Sequence, residues 1–200
     1  MAPKRVLVLC NSESGVANVF LATAHALLEL EPTVQIHIAS FPALGSAVTA
    51  TSASAVQSSS AGAAPFTFHE LGFPCTSESM LAREPALWRL FGARPGFGNA
   101  HQYAQLVSWF FVPWDASTYV RVYRRVADLL AELRPDLALV DGLFGLGLTA
   151  CREAGIPVMH VSPNSIKDVA GHAQPHLAAL WKYPAYVSDR GVTRCEPENG

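Results

Sequence analysis

An unbroken apolar run, VLVLC at residues 6–10, follows Lys4 and Arg5 near the start of the chain. Such a run, without alternation, predicts a strand over residues 5–10 that is buried on both faces. Residues 11–15 are polar and predict a loop. Residues 16–29 then carry helical spacing, with Val19, Ala22/Thr23, Ala26/Leu27 and Leu30 on one side, and Pro32 stops the helix. Residues 34–39 alternate, are rich in β-branched side chains and predict a second strand. Strand, helix and strand within forty residues form a βαβ unit, which implies a parallel sheet. The same reading continues down the chain. An Ala/Ser/Thr-rich stretch predicts a helix over residues 45–57 that frays into 58–64, and residues 66–70 predict a third strand. The amphipathic stretch 116–133 predicts a helix with Tyr119, Tyr123, Val126, Leu130 and Leu133 in one stripe and Arg121, Arg124, Arg125 and Asp128 mainly off it. Arg134-Pro135 ends it. Residues 137–140 predict a fourth strand with Asp141 at its carboxyl end, 145–154 a helix closed by Gly155, and 157–161 a fifth strand. The fold class is therefore α/β, a Rossmann-like parallel sheet with helices on both faces.

Between the third strand and the helix at 116, residues 71–99 are broken up by Gly72, Pro74, Pro85, Pro95, Gly96 and Gly98. Short helices are expected at 84–91 and 100–111. This insertion is rich in aromatic side chains, among them Phe73, Trp88, Trp109 and Trp114. No internal repeat is present.

Composition changes the picture in three ways. Half of the residues are apolar and 15% are charged, against roughly 25% in ordinary globular chains, which excludes disorder for most of the sequence. A low charge share is also expected of a surface that meets another domain. The net charge of −2 offers no electrostatic footprint for nucleic acid or an anionic membrane. The apolar run at 6–10 is shorter than the roughly 7–15 residues of a signal-peptide core, and nothing approaches a span of roughly 18 apolar residues. Cys10, Cys75, Cys151 and Cys195 are dispersed and form no CxxC motif; Cys10 and Cys151 read as small core residues, and the expected location is cytoplasmic and reducing.

In an open parallel sheet, ligands sit at the carboxyl ends of strands. That rule singles out three polar loops, which bring Asn11, Glu13, Ser14, Asp141, Ser162 and Asn164 towards one edge. Each of these residues also serves as an ordinary turn former or cap. Several familiar sites are excluded: residues 11–16 hold only Gly15 of a GxGxxG fingerprint, no GK[ST] follows a glycine-rich loop, and Ser14 lacks the spacing of a nucleophile elbow. His172 and His176 have metal-like spacing, but Pro175 lies between them and no third ligand is evident, so no metal site is expected. His37 and His160, on strands, read as core histidines.

Three segments taken together resemble a known family: VLVLCNSESGVANVFLATAHALLE, HIASFPAL with FTFHELG, and LRPDLALVDGLFGLGLTACREAGIPVMHVSPNSIKD. The chain resembles the N-terminal half of UDP-sugar-dependent glycosyltransferases of the GT-B fold, fungal members especially, over roughly residues 5–183. The resemblance implies two facing Rossmann-like lobes, an acceptor held by the first and a nucleotide sugar by the second. It further implies a histidine base after the first strand, an aspartate after the fourth that orients it, and inverting transfer without a metal. Asp141 matches that aspartate. Ser14 stands where the histidine is expected, and serine is no base near pH 7. Asn11, Glu13, Gly15, Phe144, Ser162 and Asn164 are the implied acceptor contacts. No resident cofactor is implied; UDP-sugar is a co-substrate whose site lies outside this chain.

The expected organisation is an acceptor-binding domain over residues 1–185 and a polar, disordered tail over 186–200, with the donor-binding domain absent through truncation. The expected partners are a small, apolar, hydroxylated acceptor and, in trans, a donor domain, with no nucleic acid and no membrane span. Alone, the chain is expected to be inactive. Two other readings stand beside this one: a non-catalytic binding or regulatory module that pairs with a separate donor domain, and an unrelated α/β protein of flavodoxin-like or hydrolase type.

Overall fold

The computed structural model of the chain describes residues 3–59, 62–83 and 112–163. The helices expected at 84–91 and 100–111, most of the aromatic insertion, Asn164, His172, His176, Cys195 and the polar tail lie outside the described residues.

Five strands, β1 (Arg5–Leu9), β2 (Gln35–Ser40), β3 (Thr67–Glu70), β4 (Leu137–Asp141) and β5 (Val158–Val161), form one sheet in the order β3-β2-β1-β4-β5. Every pairing is parallel. β1 is central and its side chains alternate between two cores. Leu7 and Leu9 face one core, with Ala39, Ala138 and Val140. Val6 and Val8 face the other, with Ile36, Ile38 and Leu139. A strand that is apolar at every position thus reflects burial on both sides.

The helices α1 (Ser14–Leu30) and α2 (Gly45–Ser58) cover the Val6/Val8 face, and α4 (Ala116–Leu133) and α5 (Gly145–Glu153) cover the other. The α1 stripe differs from the expected one. Ala17, Phe20, Leu21, Ala24 and Leu28 are buried, whereas Val19 is 38% exposed and Leu30 83% exposed. Both sets of positions are apolar at helical spacing, and the sheet takes the one that carries the large Phe20 side chain. On α4 the expected stripe faces the core, with Val122 and Leu129 added at its centre.

Helix ends follow local chemistry. Asp115 caps α4 by accepting hydrogen bonds from the Ser117 and Thr118 backbone N–H groups. After α5, Gly155 has φ +67°, its N–H donates to the Arg152 carbonyl and the Ile156 N–H donates to the Cys151 carbonyl, a Schellman closure. The weakly amphipathic α2 is stitched to the sheet by a polar contact: buried Ser52 accepts the Phe66 backbone N–H at 2.8 Å.

A helix also stands where the sequence reads as irregular. α3 (Thr76–Arg83) begins after Cys75, whose N–H donates to the Glu78 carboxylate at 3.1 Å. This is half of a capping box, the glutamate reaching back to the residue that precedes the helix. The other half normally requires Ser or Thr, and here Cys75 occupies that position.

Candidate functional site

The strand order reverses on either side of β1, so the loops after β1 and β4 lie side by side at the carboxyl edge of the sheet. Asp141 ends β4 with no exposed surface, and Asn11, two residues beyond β1, is 3% exposed. The Asn11 side-chain amide donates to Asp141 Oδ2 at 3.0 Å and its backbone N–H reaches the same oxygen at 3.4 Å. Asp141 Oδ1 accepts the Leu143 backbone N–H at 3.0 Å, which pins the turn into α5. Burial pushes the Asp141 carboxyl upward from its ordinary value, and the hydrogen bonds from Leu143 and Asn11 oppose that shift. Next to it, burial foremost and then the Asp141 charge raise the Cys10 thiol to about 12, so Cys10 is a protonated core residue.

The polar chain continues outward. Buried Thr76, the first residue of α3, donates its hydroxyl to Asn11 Oδ1 at 2.9 Å. Glu13 accepts the Ser77 backbone N–H at 2.9 Å. The loop after β1 therefore grips β4 on one side and the start of α3 on the other.

The structure brings together Asn11 and Asp141, with Glu13 in the same loop bonded to the start of α3. Ser14 and Gly15, expected in the loop, are the first two residues of α1 and are exposed; the helix begins directly after extended Glu13, whose carbonyl accepts the Val16 and Ala17 N–H groups. Among the described residues the Ser14 hydroxyl makes no hydrogen bond, and Ser14 is not a partner of Asp141. Ser162 lies exposed beyond edge strand β5. Phe144 is 1% exposed and belongs to the core. His37 is half-buried and hydrogen-bonded to His69 at 3.0 Å. His160 is exposed, its ring against Gly142. His25 bridges α1 to α2, lying 3.3 Å from Ser54.

Phe144 stacks edge-on against Phe41 and Trp114, with ring centroids 6.0 and 6.5 Å away, and Phe41 and Trp114 are 5.6 Å apart. This aromatic cluster backs a cavity of about 600 Å³ between the segment before α3 and the start of α4. Phe73, Pro74 and Trp114 line its apolar side, and Asp115, Thr118 and Arg121 line its polar side. The Trp114 indole N–H donates to the Pro74 carbonyl at 3.1 Å and fixes that wall. In the sequence Arg121 reads only as a residue off the core stripe, although 115, 118 and 121 share one helical face.

Among the described residues no group of three or more His, Cys, Asp or Glu could hold a metal, and no helix is long and apolar enough to cross a membrane.

No family model matches the chain. It is 30% identical over 189 residues to glycosyltransferase sdnJ of Sordaria araneosa, an alignment covering 90% of this chain and 36% of that protein. Among solved structures it is similar to SsfS6, a glycosyltransferase of Streptomyces sp. SF2575, with a TM-score of 0.52 and 18% identity over 80% of this chain and 39% of that one. It is similar to the spinosyn rhamnosyltransferase SpnG to the same degree, with a TM-score of 0.52 and 18% identity over 82% of this chain and 36% of that one. The chain thus spans about a third of the length of the curated relative it matches. The chain is thus similar in sequence to a glycosyltransferase, and its Rossmann-like unit fits the N-terminal half of the GT-B fold.

Proposed function

We propose that these residues form the acceptor-binding lobe of a UDP-sugar-dependent glycosyltransferase, which holds a hydroxylated, largely apolar molecule at the carboxyl edge of the sheet. The observation that carries this reading is the pairing of buried Asp141 with the loop after β1, at the reversal of strand order. The aromatic cavity beside that edge supports it, since small-molecule sites are apolar with a few convergent polar groups. In the transfer step the acceptor hydroxyl oxygen bonds to the anomeric carbon, the bond from that carbon to UDP breaks, UDP leaves with the electron pair, and a base takes the hydroxyl proton. A positioned base typically contributes about 10²–10⁴-fold in rate. Ser14 supplies none, so the lobe contributes binding and orientation and is inactive without a donor-binding lobe.

A second reading, a non-catalytic binding module that works with a separate donor lobe, is favoured by one specific observation. Both Asp141 oxygens are already committed to Asn11 and Leu143, as in a structural anchor.

The test joins this chain to the donor lobe of a related glycosyltransferase and supplies UDP-glucose with a panel of hydroxylated aromatic compounds. Hexose-bearing products by mass spectrometry, increased in a Ser14→His variant, are the expected result. Tight stoichiometric binding of UDP-glucose by the unfused chain would overturn the acceptor-lobe assignment. Absence of product from every fusion, with acceptor binding intact, would favour the non-catalytic module.

A further inference from the structure

The cavity beside α4 has a polar side made by one helical stripe: Asp115, Thr118 and Arg121 at intervals of three. The two charges on that stripe are not equivalent. Asp115 is consumed locally. Its Oδ1 accepts from the Ser117 N–H, the Ser117 hydroxyl and the Thr118 N–H, at 2.8, 2.6 and 3.0 Å, and its Oδ2 accepts the Thr118 hydroxyl at 2.9 Å. Those hydrogen bonds hold its carboxyl well below the usual range, and its charge is balanced by the start of the helix. Arg121, in contrast, has no carboxylate partner among the described residues. Its guanidinium sits 5.0 Å from the centroid of the Phe73 ring, and Phe73 lines the same cavity. Stacking on an aromatic face orients a guanidinium while leaving its edge N–H groups available for a planar anion.

Resting on the acceptor-lobe reading, we infer that this cavity selects acceptors bearing a carboxylate, with Arg121 as the specificity-determining residue and Phe73, Pro74 and Trp114 receiving the apolar body. A carboxylate suits the site better than a bare point anion, because the planar fork of Arg121 pairs with two oxygens at once and the neighbouring surface is apolar. The volume of about 600 Å³ accommodates a body of two or three fused rings.

The probes are 6-hydroxy-2-naphthoic acid and its methyl ester, which share body and hydroxyl and differ in charge. Their binding to the full chain is measured by equilibrium dialysis at pH 7.5. The acid is expected to bind about tenfold more tightly than the ester, with the ratio shrinking as salt rises. Arg121→Gln is expected to bring the ratio to about one while leaving the ester's affinity within about twofold. Phe73→Leu is expected to weaken both probes and to retain part of the preference for the acid. Because Arg121 is exposed, its replacement leaves the core intact, which circular dichroism verifies. Equal affinities for the two probes, a preference that survives Arg121→Gln, or no binding of either probe would each overturn the inference. Its failure is separable from failure of the acceptor-lobe reading: the first appears as a ratio of affinities in the unfused chain, the second as absence of hexose transfer in the fusion.

Discussion

Replacing Asn11 by Ala removes the side chain that ties three elements together, and its cost can be worked from the bonds it makes. The amide N–H to Asp141 Oδ2 is a 3.0 Å hydrogen bond to a buried carboxylate, of a class worth about 1.5–3 kcal/mol. The Thr76 hydroxyl loses its 2.9 Å acceptor, a further loss of about 1 kcal/mol. Together the variant is expected to lose about 2.5–4 kcal/mol, a large share of the roughly 5–15 kcal/mol typical of a domain. Thr76→Val, which removes only the outer bond, should lose about 1 kcal/mol. Urea unfolding followed by circular dichroism measures both. A cycle of Asn11→Ala with Asp141→Ala should give a coupling of about 1.5–3 kcal/mol, since the bond is shared by the two residues. The deficit of Asn11→Ala should also depend on pH. Burial already raises the Asp141 carboxyl in the folded state, and the lost amide had opposed that shift. A group whose folded value lies above its unfolded one is best tolerated below the unfolded value, and stability falls as pH rises through the folded value. The deficit should therefore be larger at pH 7 than at pH 4. A loss below about 1 kcal/mol, or additivity of the two substitutions within about 0.5 kcal/mol, would refute the account of this site as a coupled buried network.

Four further outcomes follow from local geometry and electrostatics. Gly147→Ala, in α5, would ordinarily gain up to about 1 kcal/mol of helix stability, but its Cβ would lie 2.7 Å from Phe144 Cδ1. That ring is held by Phe41 and Trp114, so a net loss of about 1–2 kcal/mol is expected in thermal unfolding. Gly142→Ala meets only the tip of exposed His160, which can rotate away, and should change stability by no more than about 0.5 kcal/mol. Equal effects at the two glycines would contradict this packing argument. Arg134 ends α4 at φ +45°, a left-handed conformation, so Arg134→Gly should stabilise by about 0.5 kcal/mol once the added freedom of the unfolded chain is subtracted; a loss would show that its side chain contributes more than the strain costs. Burial foremost, then the charge of His69 and that of Arg5, holds His37 below its ordinary value; burial likewise lowers His69, with Glu132 opposing and Arg125 assisting. Groups depressed in this way favour the fold while neutral, so stability should fall as pH drops below about 6.5, and His69→Gln should flatten that fall between pH 7.5 and 5.5.

The sheet was legible because its signals are redundant. Each strand is bounded by turn residues and separated from the next by a helix, and β1 is apolar at every position. The helix at residues 116–133 is legible to the residue, because its stripe and its stop at Arg134-Pro135 agree. The buried face of α1 is not legible in the sequence, because that helix is apolar on more than one side and only the burial of Phe20 settles which side packs inward. α3 is not legible in the sequence, because half of its capping box is a cysteine. At the site, the strand-edge rule found Asn11 and Asp141 and could not find Thr76, which lies 65 positions from its partner Asn11. Phe144, an acceptor contact by the family resemblance alone, packs its ring edge-on against both Phe41 and Trp114.

The Phe144 ring joins the site to the cavity. Asp141 holds the Leu143 N–H, so the turn 141–144 has one conformation, and that conformation delivers the Phe144 ring to the core. Phe144 and Phe41 then fix Trp114, and the Trp114 indole fixes the Pro74 carbonyl at the cavity wall. From the other side, Asn11 and Glu13 fix the start of α3, which immediately follows that wall. A single buried carboxylate thus stands at the origin of two chains of contacts that converge on the same cavity. Under the proposed function, Asp141 shapes acceptor binding through these contacts without touching the acceptor. An Asp141→Asn variant should accordingly weaken both naphthoate probes together, leaving their ratio near the parent value, whereas Arg121→Gln changes the ratio alone. Loss of the ratio in Asp141→Asn would place the carboxylate in direct electrostatic contact with the bound molecule and would break the separation between anchor and selector.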